Sequence, residues 1–265
     1  MALEFPIIDP IAISIGPIDI RWYALSYLAG FLLGLYTIKK FVIKYSSKHI
    51  TVEHFDDLLT WIIIGVIMGG RFGYVVFYNA GYYLENSIDT FKIWQGGMAF
   101  HGGLIGVITA MVLFAWKHKI PFFALSDRVA VVTPIGLFFG RIANFINGEL
   151  FGRASDAPWA MVFRDGDIAR HPSQLYQAAT EGLILFVILV TLQRSSYVRD
   201  NYGILSGIFL SAYAFMRFFV EYTREPDAHI GFLSLGLSMG QWLCIPMFIS
   251  GVIITRYGRR LHATS

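Results

Sequence analysis

The chain has 265 residues, of which 55% are hydrophobic and 15% charged, and its mean hydropathy is +0.57. This balance excludes an ordinary soluble domain and predicts an all-α polytopic membrane protein. The net charge of +3 is dispersed without the basic stripe of a nucleic-acid-binding protein, so we expect no nucleic-acid partner. The only cysteine, Cys244, leaves no partner for an intramolecular disulfide and no multi-cysteine metal site.

Seven apolar segments follow one another, each near the roughly 20 residues that a helix needs to cross the hydrocarbon. They predict about seven transmembrane helices in a single integral membrane domain, residues 1–265. The segments are Ile20–Ile38, Leu58–Tyr78, Met98–Trp116, Val129–Ile146, Leu175–Leu192, Gly203–Val220 and Leu235–Thr255.

Basic residues are distributed unequally between the two sets of loops. One set carries Lys39, Lys40, Lys44, Lys48, Lys117, Lys119, Arg128, Arg194, Arg199, Arg256, Arg259 and Arg260. The other carries only Arg21, Lys92, Arg153, Arg164, Arg170 and Arg224. The positive-inside rule therefore predicts an N-terminus outside the cytoplasm and a C-terminus inside it. The longest loop, residues 147–174, then lies on the outer face with the shorter loops 79–97 and 223–234.

Glycines in the second and third segments recur at spacings that let helix backbones approach each other in lipid. We therefore expect close packing of these two helices, with close approach of a lipid substrate as the alternative. The glycines are Gly65, Gly69, Gly73, Gly102, Gly103 and Gly106.

The second segment also carries Arg71, Tyr74 and Tyr78 at i, i+3 and i+7, which places them on one face of a helix. Anchoring at the level of the lipid headgroups is one explanation of this stripe. Contact with a substrate is the other.

His101 stands at the start of the third segment with glycines on both sides, which leave room for a substrate. A histidine side chain suits a proton acceptor at neutral pH. A structural, hydrogen-bonded histidine is the alternative interpretation.

The fourth segment ends in a polar motif that runs from Gly140 to Glu149. At helical pitch Arg141, Asn144 and Gly148 share one face, with Glu149 beside it. An ionised side chain at membrane depth costs roughly 2.5–3.5 kcal/mol on insertion scales, so it persists only beside a partner, a water-filled cavity or an anionic ligand. The motif therefore indicates a site.

Near the end of the sixth segment, Arg217, Glu221 and Arg224 fall at i, i+4 and i+7. A structural arginine–glutamate pair is one explanation. Together with Arg71 and Arg141, however, Arg217 would cost on the order of 8–10 kcal/mol if each arginine faced lipid alone.

Guanidinium groups pair bidentately with carboxylate and phosphate oxygens. The arginines therefore predict an internal anion site near the outer face that holds Glu149, Glu221 and a bound phosphate. These patterns leave open a lipid-modifying enzyme, a transporter or channel for a small anion, and a membrane scaffold. Phosphate-binding P-loops and the motifs HExxH and GxSxG are missing, and nothing in the sequence requires a metal or cofactor.

The run Gly140-Arg141-x-Ala143-Asn144-Phe145-x-Asn147-x-Glu149-x-x-Gly152 resembles the signature of bacterial prolipoprotein diacylglyceryl transferases. Further pieces occur in the order that this family has. They are Arg21-Trp22-Tyr23, Gly70-Arg71, His101-Gly102-Gly103, His171-Pro172-Ser173-Gln174-Leu175-Tyr176 and Arg224-Glu225-Pro226-Asp227.

The resemblance implies a multi-pass enzyme of the bacterial cytoplasmic (inner) membrane with its active site toward the periplasm and without a cofactor. Such an enzyme transfers the diacylglyceryl group of phosphatidylglycerol to the lipobox cysteine of a prolipoprotein signal peptide. A thioether forms and glycerol phosphate leaves. The expected partners are phosphatidylglycerol, the prolipoprotein and the lipid bilayer.

The residues found above fit this chemistry. His101 is the candidate base for the thiol, and Glu149, Glu221 or the positive field of the arginines are the alternatives. Arg141 and Arg217 are expected to stabilise the departing phosphodiester, which Asn144 and Asn147 would bind as hydrogen-bond donors. Glu149 and Glu221 are expected to orient the arginines. The remaining candidates for substrate binding are Tyr23, Arg71, Tyr74 and Arg224.

Overall fold

The computed structural model describes residues 2–45, 49–163, 166, 168–225 and 231–258. Four basic residues of the loop pattern and two residues of the family motifs lie outside the described residues. They are Lys48, Arg164, Arg259 and Arg260, and Pro226 and Asp227.

Helices dominate the fold, and short strands lie between them. The elements are, in chain order, β1 (Leu3–Glu4), β2 (Ile11–Ile15), β3 (Ile18–Arg21), α1 (Trp22–Lys44), α2 (Glu53–Tyr78), α3 (Ala80–Glu85), α4 (Phe100–Lys117), α5 (Phe122–Asn147), β4 (Met161–Val162), β5 (Ala169–Arg170), α6 (Ser173–Gln177), a π-helical stretch (Ala178–Ile184), α7 (Leu185–Leu192), α8 (Ser196–Asp200), α9 (Ile204–Val220) and α10 (Met239–Gly258).

Seven helical segments within the described residues are long and apolar enough to cross a membrane. They are α1, α2, α4, α5, the continuous run from α6 to α7, α9 with the turn that follows it, and α10. The expectation of an all-α polytopic membrane protein with seven spans is therefore confirmed. The sequence did not indicate the strands, because strands of two to five residues leave almost no periodic pattern.

The strands form two small sheets. In the first, β1 lies parallel to β4, and β4 pairs antiparallel with β5. In the second, β2 and β3 form an antiparallel hairpin directly before α1.

The chain divides into two compact units, residues 1–37 with 127–265 and residues 38–126. We call them the first and the second unit. The single integral domain over residues 1–265 stays a prediction.

In the second unit, α2 packs against α4 through glycines, as their spacing predicts. A Cβ atom at Gly65 would lie 2.6 Å from the carbonyl oxygen of Gly106, and one at Gly69 would lie 2.8 Å from the Gly106 Cα. Gly103 is different, because a Cβ atom there would meet only the Val66 carbonyl oxygen, at 3.8 Å. The packing prediction is therefore confirmed for the first two glycines and is wrong for Gly103.

In the first unit, α5 begins seven residues before the predicted start of its span and includes Asp127 and Arg128. The Asp127 carboxylate is buried and accepts hydrogen bonds from the Gly203 amide (2.8 Å), the Ser206 amide (2.8 Å) and the Ser206 hydroxyl (2.6 Å). These donors lie at the start of α9, where helix amides have no partners of their own. Asp127 therefore ties the beginning of α9 to α5.

Candidate active site

The polar motif lies where α5 ends. Its last residue is Asn147, and Gly148 follows with a φ of +69°, in the left-handed region. The Gly148 amide donates to the Phe145 carbonyl (2.9 Å), and the Glu149 amide donates to the Asn144 carbonyl (3.0 Å). This is the Schellman pattern, in which a glycine ends a helix. The turn brings Glu149 back to the last turn of α5.

The side chains of the motif form one hydrogen-bonded group. Oε1 of Glu149 accepts from Nδ2 of Asn144 (2.7 Å) and from Nδ2 of Asn147 (3.3 Å). Nη1 of Arg141 donates to Oδ1 of Asn144 at 3.4 Å. Only 19% of the Arg141 side chain is exposed, and it points to polar side chains rather than to lipid or bulk water. These residues are neighbours, as their spacing predicts.

The carboxylate beside Arg141 belongs to Glu181, which lies in the π-helical stretch and has no exposed surface. Its Oε2 atom is 3.9 Å from Nη2 of Arg141, and its Oε1 atom is 3.7 Å from Nη1 of Arg217. The ion pairs of Arg141 within the described residues thus differ from the expectation that Glu149 orients it. The reason is the glycine turn, which directs Glu149 to the two asparagine amides instead.

Arg217, in the last turn of α9, joins two carboxylates. Its Nη2 atom lies 3.0 Å from Oε2 of Glu221, and its Nη1 atom faces Glu181. Nε of Arg224 lies 3.6 Å from the same Glu221 oxygen. The predicted grouping of Arg217, Glu221 and Arg224 is present, although α9 has already ended and a 3₁₀ turn, Glu221–Thr223, carries the chain to Arg224.

The start of α10 holds Glu221 from the other side. The Ser238 hydroxyl donates to Oε1 of Glu221 (3.1 Å) and accepts from the Gln241 amide (3.3 Å), while Oε1 of Gln241 accepts from the Ser238 amide (3.0 Å). The reciprocal pair is a capping box. A Cβ atom at Gly240 would lie 2.7 Å from Oε1 of Glu221, so this close approach requires glycine. The positive end of the helix dipole favours the carboxylate there.

Three guanidinium groups therefore share two carboxylates. We call Arg141, Arg217, Arg224, Glu181 and Glu221 the arginine cluster. With all five groups ionised, the cluster carries one net positive charge. An uncompensated charge shielded from water is costly, so a monoanion with phosphate-like oxygens would suit this cluster.

Gly152, the last residue of the motif, ties the outer loop to the segment after α9. Its amide donates to the His171 carbonyl (2.8 Å), and a Cβ atom there would lie 2.8 Å from Cβ of His171. The neighbouring Arg153 donates its amide to the Thr223 carbonyl (2.9 Å) and its Nε to the Arg224 carbonyl (2.6 Å). These bonds fix the main chain from which Arg224 reaches Glu221.

Tyr23 lies in the first turn of α1, in the same unit as the cluster. Its hydroxyl is 3.1 Å from that of Tyr27, and it interacts electrostatically with Glu149 and Arg141. The structure therefore brings Tyr23 near the polar motif.

Arg71 belongs to the second unit and is buried. Its guanidinium donates to the carbonyls of Asp89, Thr90 (2.8 Å) and Gly96, and it stacks on the Tyr83 ring at 5.2 Å. These contacts hold the segment between α3 and α4 against α2. A substrate-binding role for Arg71 stays a prediction.

Tyr74 and His101 also belong to the second unit. The Tyr74 ring stacks on Tyr78 with centroids 5.7 Å apart, and a Cβ atom at Gly97 would lie 2.6 Å from it. His101 is the second residue of α4, is exposed, and lies 5.5 Å from the Phe100 ring between centroids. Their roles in binding and catalysis stay predictions.

The sequence analysis missed Glu181, Ser238 and Gly240. Glu181 was recognisable, because it is the only charged residue between Leu175 and Leu192 and the insertion cost applied to the arginines applies to it as well. The spacing of Ser238 and Gln241 matches a capping box, but its contact with Glu221 depends on the packing of α10 against α9.

Comparisons with known proteins agree with this architecture. The family model described as prolipoprotein diacylglyceryl transferase matches residues 10–257. Three similar proteins are named phosphatidylglycerol–prolipoprotein diacylglyceryl transferase. The one from Azospirillum brasilense is 51% identical, with 99% of each chain covered. That from Rhodospirillum centenum is 50% identical, covering 95% of this chain and 92% of the relative.

The third relative, from Idiomarina loihiensis, is 51% identical over 95% of this chain and 93% of its own length. The matches extend over nearly the whole chain and include the polar motif, the π-helical stretch and the segment after α9. They confirm the resemblance seen in the sequence. This chain therefore belongs to the prolipoprotein diacylglyceryl transferase family.

Proposed function

We propose that this chain transfers the diacylglyceryl group of phosphatidylglycerol to the thiol of the lipobox cysteine in prolipoproteins. A carbon–sulfur bond forms at the glyceryl carbon, and the carbon–oxygen bond to the phosphate breaks. Glycerol phosphate leaves with the electron pair of that bond, and the thiol proton passes to a base. The arginine cluster, with its one net positive charge, is the observation that carries the proposal, and the names of the relatives support both substrates.

The chain is a multi-pass membrane protein. We place it in the bacterial inner membrane with the N-terminus in the periplasm, the C-terminus in the cytoplasm and the active site toward the periplasm. The unequal distribution of Lys and Arg between the two sets of loops supports this orientation.

Arg141 and Arg217 act on the phosphate half of the reaction. The bridging oxygen gains negative charge as the carbon–oxygen bond breaks, so guanidinium groups beside it stabilise the transition state more than the ground state. Asn144 and Asn147 bind the headgroup by hydrogen bonds. Oδ1 of Asn147 is buried without a hydrogen-bond partner among the described residues, and a headgroup hydroxyl would satisfy this acceptor.

His101 acts on the thiol half. A free cysteine has a pKa near 8.5, so only a few per cent is thiolate at neutral pH. A positioned base supplies about 10²–10⁴-fold in rate, equivalent to roughly 3–5 kcal/mol. Glu149, Glu221 and the field of the arginines remain the alternatives for this role.

The other candidate residues bind or orient. Glu221 holds Arg217 and Arg224 by ion pairs, and Glu149 holds the two asparagines. In this proposal Tyr23, Arg71, Tyr74 and Arg224 contribute to substrate binding.

The test uses the purified full-length protein in phosphatidylglycerol vesicles with a synthetic lipobox peptide. Mass spectrometry should detect a gain of one diacylglyceryl unit on the peptide. A peptide with serine in place of the cysteine, and vesicles of phosphatidylcholine, should give no product. An unmodified peptide together with anion flux across the vesicles would instead support the transporter interpretation.

His101→Gln is expected to slow transfer at pH 7, because the thiol loses its proton acceptor. Raising the pH to about 9.5 converts most of the free thiol to thiolate, so the deficit of the variant relative to the unsubstituted protein should shrink by about tenfold. The pH–rate profiles of the two proteins measure this effect.

His118→Gln is the matched control, because His118 caps the other end of α4 and stacks on Phe114 (4.2 Å). Its pH–rate profile should follow that of the unsubstituted protein. If the His101→Gln profile also stays unchanged, the base is Glu149, Glu221 or the field of the arginines.

A further inference from the structure

Glu181 is a buried carboxylate for which the proposed reaction has no use as an acid, a base or a ligand. Its side chain is fully buried within a membrane-spanning segment. A charged group at such a position is costly unless a partner compensates it. Its partners are Arg141 from α5 and Arg217 from α9, so the two cations of the proposed phosphate site converge on one anion.

Both ion pairs are longer than a hydrogen bond. The separations of 3.9 and 3.7 Å exceed the roughly 2.7–2.9 Å of a charge-assisted N–H···O contact. Among the described residues, neither Glu181 oxygen accepts a hydrogen bond, and Nη1 of Arg217 donates none. Glu181 thus attracts both guanidinium groups without occupying their donors.

The backbone fixes where this carboxylate stands. Gly182 packs directly on α5, where a Cβ atom would lie 2.7 Å from Cβ of Phe138. Phe138 lies three residues before Arg141, on the same side of α5. π-helical turns are rare and occur often at functional sites, and the one here spans Ala178–Ile184. The close helix contact therefore sets Glu181 beside Arg141.

We propose that Glu181 is a positioning residue that keeps Arg141 and Arg217 side by side for the phosphodiester. The inference rests on the proposed function and adds a residue to it. Two neighbouring guanidinium groups repel each other, and the two oxygens of Glu181 each face one of them. The two free oxygens of a phosphodiester can then accept the unused N–H donors, while Glu181 stays behind as the counter-charge.

The test compares Glu181→Gln with the unsubstituted full-length protein in two measurements. One is kcat for diacylglyceryl transfer to a lipobox peptide, and the other is the Kd of glycerol phosphate in detergent. Losing the restraint on the arginines should lower kcat by about 100-fold, the typical cost of a small misplacement. Losing one negative charge should leave the affinity for glycerol phosphate the same or make it tighter.

Glu181→Asp keeps the charge on a shorter side chain and should recover most of kcat. It also serves as the variant to measure if Glu181→Gln does not fold. Asp127→Asn is the matched control, because it removes another buried carboxylate of the same unit that caps α9. This control should lower the melting temperature without separating kcat from Kd.

A Glu181→Gln variant with unchanged kcat, or with weaker binding of glycerol phosphate, would overturn the inference. If Gln does not fold, an Asp variant that loses binding and kcat together would do the same. Unsubstituted protein that binds glycerol phosphate but never modifies the peptide would overturn the proposed function alone. The comparison of Kd values would then still test the role of Glu181.

Discussion

Arg141→Gln is expected to reduce diacylglyceryl transfer by about 10²–10³-fold, the usual loss when one preorganised donor to a developing anion is removed. The variant keeps a polar side chain beside Asn144 but loses the cation that faces the departing phosphate. Because Arg141 contacts Glu181 only at 3.9 Å, the fold should tolerate the change. The measurement is kcat/KM for transfer to a lipobox peptide, with the melting temperature as the check on folding.

Arg170→Gln provides the matched control in the same unit. Arg170 pairs with Glu225, half of whose side chain is exposed, and such surface pairs contribute little to stability. Its transfer rate should stay near that of the unsubstituted protein. Arg141→Lys should recover only part of the loss, because lysine restores the charge without the planar fork of donors. Near-normal turnover of a folded Arg141→Gln variant would remove this residue from the mechanism.

Gly106→Ala should destabilise the protein by more than about 3 kcal/mol, beyond the usual cost of overpacking. The added methyl group would overlap the Gly65 carbonyl and would lie 3.0 Å from the Gly69 Cα. Both neighbours are backbone atoms of α2, so no side chain can move aside, and the two helices must separate. The melting temperature in detergent and the yield of monodisperse protein measure the effect.

Gly103→Ala is the matched control for this prediction. It makes the same substitution on the same helix, but its methyl group would meet only the Val66 carbonyl oxygen at 3.8 Å. Its melting temperature should stay the same or rise slightly, because alanine favours the helix over glycine. Equal melting temperatures for the two variants would contradict the observed helix packing.

Much of the fold was predictable because hydrophobic length and small-residue spacing are local signals. The seven spans and the glycine contact between α2 and α4 follow from these signals alone. The early start of α5 was not predictable. Asp127 is charged and would normally lie in a loop, but its donors at the start of α9 come from residues far along the chain.

The candidate site divides in the same way. Helical pitch predicts that Arg141 lies near Asn144 and that Arg217 lies near Glu221, because each pair is less than five residues apart. The pairing of both arginines with Glu181 depends on three helices and on a π-helical stretch, which leaves no periodic signal in the sequence. Long-range ion pairs of this kind become visible only in the structure.

The π-helical stretch also constrains the length of its segment. A π turn holds one residue more than the α-helical turn it replaces, so removing one residue would rotate everything after it by about 100°. Leu185 and Leu189, which follow the stretch, are fully buried and would turn toward the acyl chains. Charge pairing and hydrophobic packing in this helix thus share a single register, and a deletion cannot alter one without disrupting the other.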